Sequence, residues 1–82
     1  MNNLRKMLEE KMESKVLDVC KDNPMMETSL AGIAVIDAIN KVSDIYKKSL
    51  LEGIDQLSLN EDEVIGLIDE VKKTVYNNLI EH

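Results

Sequence analysis

The stretch that decides the fold covers residues 30–39 and reads Leu30-Ala31-Gly32-Ile33-Ala34-Val35-Ile36-Asp37-Ala38-Ile39. In a helix, residues seven positions apart lie on the same face. Three apolar residues here precede three polar ones by that interval: Leu30, Ile33 and Ala34 come before Asp37, Asn40 and Lys41. The stretch is therefore apolar nearly all the way round, and such a helix is usually buried on more than one side. We expect it to pack against other helices of the chain and also against a surface outside the monomer.

A helix over residues 24–52 is predicted around this stretch. Asn23 is a favoured N-cap and Pro24 a favoured first helical residue, whereas a start at Thr28 or Ser29 is the alternative. Gly53 is expected to end the helix in the left-handed conformation. At 1.5 Å per residue this helix would be about 43 Å long, against roughly 30 Å for its neighbours, so one of its ends should overhang or bend.

Two further helices are predicted, over residues 3–21 and 60–81. Each has an apolar stripe at spacings of three and four: Leu4, Leu8, Met12, Val16 and Cys20 in the first, and Val64, Ile68, Val71, Val75 and Leu79 in the last. Overlapping capping boxes at Ser58 and Asn60 predict the start of the last helix. From Ser43 onward the middle helix has an ordinary pattern, with one apolar side formed by Ile45, Tyr46 and Leu50. The sequence therefore predicts an all-α, three-helix antiparallel unit, with residues 1–82 as a single domain.

Small residues in the middle helix favour self-association. They would leave a shallow groove that another helix could approach closely. Gly32 inside a helix lowers helix stability by about 1 kcal/mol relative to Ala, and close packing against another helix would explain its presence. The alternative is that Gly32 is merely tolerated. The predicted oligomer interface, of a dimer or a larger assembly, comprises Leu30, Ala31, Gly32, Ile33, Ala34 and Ala38.

Composition constrains the cellular setting. The chain has 82 residues with no Phe or Trp, and Cys20 is its one cysteine, which fits a reducing compartment better than an oxidising one. No signal peptide is recognisable, and the longest apolar run, residues 30–36, falls far short of the ~20 residues that cross a bilayer. We expect a cytoplasmic protein that does not interact with membranes.

Acidic residues are concentrated in one segment. The net charge is −6, and residues 49–71 hold seven acids and no Lys or Arg. Such a segment disfavours direct nucleic-acid binding and favours a docking face for a basic protein or a mimic of nucleic acid. A solvated surface that keeps the protein soluble is the alternative. The partner-binding residues predicted here are Asp62, Glu63, Gly66, Asp69 and Glu70.

No motif indicates catalysis, a metal site or a cofactor. The one histidine, His82, is the last residue of the sequence, where precise positioning is not expected. Cys20 therefore has no histidine partner for a catalytic dyad. The acids near Asn60 lack the order of a calcium loop, and no glycine-rich phosphate loop is present. We predict no catalytic residues, no metal ligands and no cofactor.

One short segment resembles a known family. Residues 24–31 are similar to the start of the last helix in the phage proteins that sequester cyclic-nucleotide signals of host defence, with matches at Glu27, Ser29, Leu30 and Ala31. The aromatic and arginine residues expected later in that helix are missing, and the third predicted helix has no counterpart there. The resemblance implies a function in sequestering a ligand.

The sequence thus favours a small acidic, non-enzymatic binding protein. As an accessory factor or inhibitor of bacterial or phage origin, it would act as a homo-oligomer that occupies a macromolecular partner. The alternative is an oligomeric sponge for a small anionic ligand such as a signalling nucleotide. The clustered lysines that could meet such a ligand are Lys41, Lys47 and Lys48, which could equally pair with Asp37 and Asp44.

Overall fold

Three helices form the architecture of the computed structural model, which describes residues 2–81. They are α1 (Asn2–Lys21), α2 (Ala31–Glu52) and α3 (Glu61–Leu79), and each packs against the other two. Short 3₁₀ helices at Pro24–Glu27 and Ile54–Gln56 lie in the connections. No strand occurs within residues 2–81. The predicted all-α three-helix unit is confirmed.

Side-chain contacts between α1 and α3 give the helix directions. Arg5 donates a hydrogen bond to Glu70, and further along both helices Asn78 donates one to Glu13. The two helices therefore run parallel, and α2, which connects them, runs in the opposite direction. The shared core follows the predicted stripes on α1 and α3. Its members are Leu8, Met12, Val16 and Cys20 on α1, Ala38, Ile39 and Val42 on α2, and Ile68, Val71 and Val75 on α3. On α2 the predicted apolar side is wrong at Ile45, which is 58% exposed.

The predicted start of the middle helix at residue 24 is wrong. Asn23 does act as an N-cap, its side-chain oxygen accepting a 2.9 Å hydrogen bond from the Met25 N–H, but the helix it begins is a single 3₁₀ turn. Thr28 then adopts an extended conformation, and its hydroxyl donates to the Met25 carbonyl at 2.8 Å and accepts from the Leu30 N–H at 3.0 Å. These local bonds compete with helical ones. Helix α2 therefore begins at Ala31, nearer the alternative start.

The shorter α2 removes the expected mismatch in length. Its 22 residues correspond to about 33 Å, close to the lengths of α1 and α3, so the reason to expect an overhang disappears. Gly53 does end α2, but with φ −102° and ψ 19° it is not left-handed, because the chain continues directly into the 3₁₀ turn Ile54–Gln56. At α3 the capping box between Asn60 and Glu63 is confirmed, and the helix ends at Leu79 rather than at residue 81.

Candidate partner-binding surfaces

The predicted partner-binding residues lie on the solvent side of α3, opposite its buried stripe. We call Asp62, Glu63, Gly66, Asp69 and Glu70 the acidic face. All five are exposed, whereas Val64, Ile68, Val71 and Val75 on the other side are buried. The helical spacing of these acids places them along one side over more than two turns. The acidic face is therefore open to a partner.

The four carboxylates of the acidic face differ in their interactions. Glu63 accepts a 3.0 Å hydrogen bond from the Asn60 N–H in the capping box. Glu70 lies 2.9 Å from the Arg5 guanidinium, which also contacts Glu9. Asp62 and Asp69 form no hydrogen bond or ion pair with side chains of residues 2–81. Two of the four carboxylates thus contribute to the fold, and the other two, Asp62 and Asp69, form no ion pair among residues 2–81.

Gly66 lies between these charges, where internal packing does not require a glycine. A Cβ built on it would have no atom within 4 Å. Larger residues would therefore fit within the monomer, although glycine lowers helix stability by about 1 kcal/mol relative to alanine. Its bare backbone leaves space beside Asp62 and Asp69 for a contacting molecule.

The predicted oligomer interface divides between core and surface. Ala34 and Ala38 are only 4% and 3% exposed within the monomer, so they pack inside the bundle and are not free to form the predicted interface. Ala31 is half-buried, and Gly32 is exposed. Three large apolar side chains around the start of α2 remain at the surface, and we call them the apolar patch: Leu30 at 47% exposed, Ile33 at 59% and Ile36 at 39%. Ile36 was not in the predicted interface.

A groove between α2 and α3 was not predicted from the sequence. This α2–α3 groove has a volume of about 360 Å³. It is lined by Ile36, Ile39 and Asn40 from α2 and by Asp69, Lys72, Lys73, Tyr76 and Asn77 from α3. The signal that could have indicated it is the spacing of Lys72 and Tyr76, which are four residues apart and so share one side of α3.

The lysines considered for an anionic ligand are largely paired along α2. Lys41 lies 2.8 Å from Asp37, and Lys47 lies 3.9 Å from Asp44. The hydrogen bond from Lys41 to Asp37, reinforced by the opposite charge, raises the pKa of Lys41. Lys41, Lys47 and Lys48 do not line the α2–α3 groove. Lys41 and Lys47 thus form the ion pairs with Asp37 and Asp44 that were the predicted alternative, whereas Lys48 forms none with residues 2–81.

Cys20 is a core residue at the end of α1. Its side chain is 3% exposed, and burial raises the pKa of the thiol. Because the thiolate is the reactive form, a raised pKa keeps Cys20 unreactive near neutral pH.

We expect replacement of Cys20 by Ala or Val to change the free energy of unfolding by about 1 kcal/mol and leave partner binding unchanged. In the parent, the unfolded chain loses the thiol proton at a lower pH than the folded chain. The free energy of unfolding should therefore decline as pH rises above about 8.5, and this decline should be smaller in Cys20→Ala. Urea titrations of both proteins measure the difference. Alkylation of native Cys20 by iodoacetamide as fast as in urea would contradict its burial.

Comparisons with protein families, with curated proteins and with solved structures found no match to this chain. The short resemblance of residues 24–31 to cyclic-nucleotide-sequestering proteins thus gains no support, and its first half forms a 3₁₀ turn rather than helix. In the part of the chain that the structure describes, no helix is long and apolar enough to cross a membrane. Residues 2–81 hold no cluster of three or more His, Cys, Asp or Glu side chains suited to a metal ion. His82 lies outside the described residues.

Proposed function

We propose that this chain is a small, non-enzymatic cytoplasmic binding protein, an accessory factor or inhibitor that occupies a basic protein partner through its acidic face. The observation that carries the proposal is the exposure of Asp62 and Asp69 without partners among residues 2–81. Neither charge is needed for packing, and both flank Gly66, where a partner has room to approach.

The helix dipole accounts for only one of the two aspartates. Acids in the first turn of a helix interact favourably with its dipole, and this covers Glu61, Asp62 and Glu63. Asp69 lies in the third turn, beyond the reach of that effect. Charge complementarity with a basic partner accounts for both positions, because opposite potentials accelerate encounter and fix the orientation of a complex.

Self-association through the apolar patch belongs to the same proposal. The patch and the acidic face lie on different helices, so a dimer formed through α2 could present two copies of the acidic face. Two basic sites on one partner molecule would then be engaged together, which raises the overall affinity without new contacts. A sponge that holds its ligand through the α2 lysines lacks comparable support, since Lys41 and Lys47 are paired with neighbouring acids.

We expect the double substitution Asp62→Asn and Asp69→Asn to weaken partner binding at least tenfold, because it removes the two carboxylates of the acidic face that form no ion pair and keeps the side-chain size. The matched control is Asp18→Asn with Asp22→Asn, which removes the same charge from exposed positions outside the acidic face. Glu70 is left intact because it holds Arg5. The partner is recovered with tagged parent protein, and dissociation constants are then measured by calorimetry at two salt concentrations.

Higher salt should weaken binding of the parent and affect the Asp62, Asp69 variant less, because screening acts on the charges that the variant lacks. The control variant should stay within about twofold of the parent. Binding that is unaffected by the acidic-face substitutions and by salt, yet is lost on changing Lys41 and Lys48 to Gln, would contradict the proposal and favour the anionic-ligand sponge.

A further inference from the structure

The α2–α3 groove combines an apolar base with a polar rim. Ile39 is buried at its base, Ile36 is 39% exposed, and Tyr76 is half-buried. Ile36 and Tyr76 provide hydrocarbon and aromatic surface, whereas Ile39, at 2% exposed, adds little. The rim contains the amides of Asn40 and Asn77 together with the charged groups of Asp69, Lys72 and Lys73. A mostly apolar concavity with a few convergent polar groups is the usual form of a small-molecule site.

Two ammonium groups set the charge of this groove. Neither Lys72 nor Lys73 lies within 4.0 Å of a carboxylate of residues 2–81, unlike Lys41 and Lys47. With Asp69 included, the rim carries one more positive than negative charge, whereas the whole chain has a net charge of −6. The groove therefore favours an anion on a surface that otherwise repels anions.

We propose that the α2–α3 groove binds a small amphipathic organic anion, with its hydrocarbon body on Ile36 and the Tyr76 ring and its anionic head on Lys72 and Lys73. A volume of about 360 Å³ is near the lower end of the range for ligand pockets, which suits a medium-chain carboxylate. A nucleotide fits less well, because its sugar would lie on isoleucine and its further phosphates would approach Asp69. The groove shares Asp69 with the acidic face and Ile36 with the apolar patch, but anion binding at Lys72 and Lys73 goes beyond the proposed function and is tested separately from it.

The test is a titration of the full chain, isotopically labelled and followed by amide NMR shifts, with octanoate as the probe. Octylammonium has the same hydrocarbon chain with the opposite charge and serves as the ligand control. We expect octanoate to give saturable shifts centred on the residues of the groove and to bind at least fivefold more tightly than octylammonium. The double substitution Lys72→Gln and Lys73→Gln should weaken octanoate binding at least fivefold.

Lys47→Gln with Lys48→Gln is the matched protein control, because it removes two lysines that lie outside the groove; octanoate affinity should stay within twofold. Ile36→Ser should weaken octanoate binding and leave the preference for an anion in place. A second titration uses Ile33→Glu, a change outside the groove lining that opposes self-association, so that a covered groove cannot hide the site.

Three results would overturn the proposal. The first is the absence of saturable shifts in both the parent and Ile33→Glu. The second is equal affinity for octanoate and octylammonium, which would mean that the lysines do not select charge. The third is tighter binding of adenosine monophosphate than of octanoate, which would assign the groove to phosphate rather than to amphipathic anions. Circular dichroism of each variant confirms that the helices are retained.

Discussion

Replacement of Ala38 by glutamate is expected to unfold the chain. Ala38 is 3% exposed and belongs to the core, where a glutamate has neither space nor a cationic partner. An unpaired buried charge costs several kcal/mol, and a core of this size rarely supplies more than about 3–5 kcal/mol of net stability. Far-ultraviolet circular dichroism should show loss of most of the helical signal at 25 °C, with no cooperative thermal transition.

The control for this prediction is Ile33→Glu, which introduces the same side chain on the same helix at a position that is 59% exposed. It should keep the helical signal of the parent. A folded Ala38→Glu protein with reduced mass would instead mean that Ala38 faces another copy, as the sequence pattern alone predicts. The two outcomes separate a core position from an interface position, because only the first requires the glutamate to be buried within the monomer.

Helix periodicity predicted the parts of the fold that depend on local signals. The stripe from Val64 to Val75 in α3 is the buried side, and the Asn60 capping box marks the helix start as expected. The predicted start of α2 was wrong because the Thr28 hydroxyl forms local hydrogen bonds that a hydrophobic pattern does not reveal. Asn23 and Pro24 do form the predicted N-cap and first helical residue, but the helix that they begin is a 3₁₀ turn.

Periodicity did not predict which residues of α2 the other two helices bury. In α2 the small residues Ala34 and Ala38 are buried, because small side chains let neighbouring helices approach closely, whereas Ile33 and Ile36 remain at the surface. Ile45, which the pattern placed with Tyr46 and Leu50, is 58% exposed. The position of the two neighbouring helices around α2 decides these assignments, and it is a tertiary property.

The candidate binding surfaces also differ in whether local sequence signals or tertiary packing determine them. The acidic face was predictable because its residues belong to one helix and its exposure follows from the opposite apolar stripe. The α2–α3 groove was not, because it joins Ile36 and Asn40 to residues of α3 that lie 29 or more positions away in the sequence. The unpaired state of Asp62 and Asp69 also depends on the packing of α1, which brings Arg5 to Glu70 instead.

The parent chain is expected to self-associate, and Ile33→Glu is expected to dissociate it. Leu30, Ile33 and Ile36 remain 39–59% exposed in the monomer, and fully burying one such side chain stabilises a contact by about 1.5–3 kcal/mol. A charge at the most exposed of these positions would have to be buried without a partner. Light scattering at micromolar concentration should give a mass above the 9.3 kDa monomer for the parent and the monomer mass for Ile33→Glu.

Ile45→Glu is the matched control for this last prediction. Ile45 is exposed to the same extent as Ile33, at 58% against 59%, and lies on the same helix about 18 Å further along its axis. Because Ile45 is outside the apolar patch, its replacement should leave the mass of the parent unchanged. If the dissociation constant for self-association rises at least a hundredfold in Ile33→Glu and not in Ile45→Glu, the contact lies in the first half of α2. A parent that is monomeric at every micromolar concentration, or equal dissociation by both variants, would contradict the assignment of the patch as the interface.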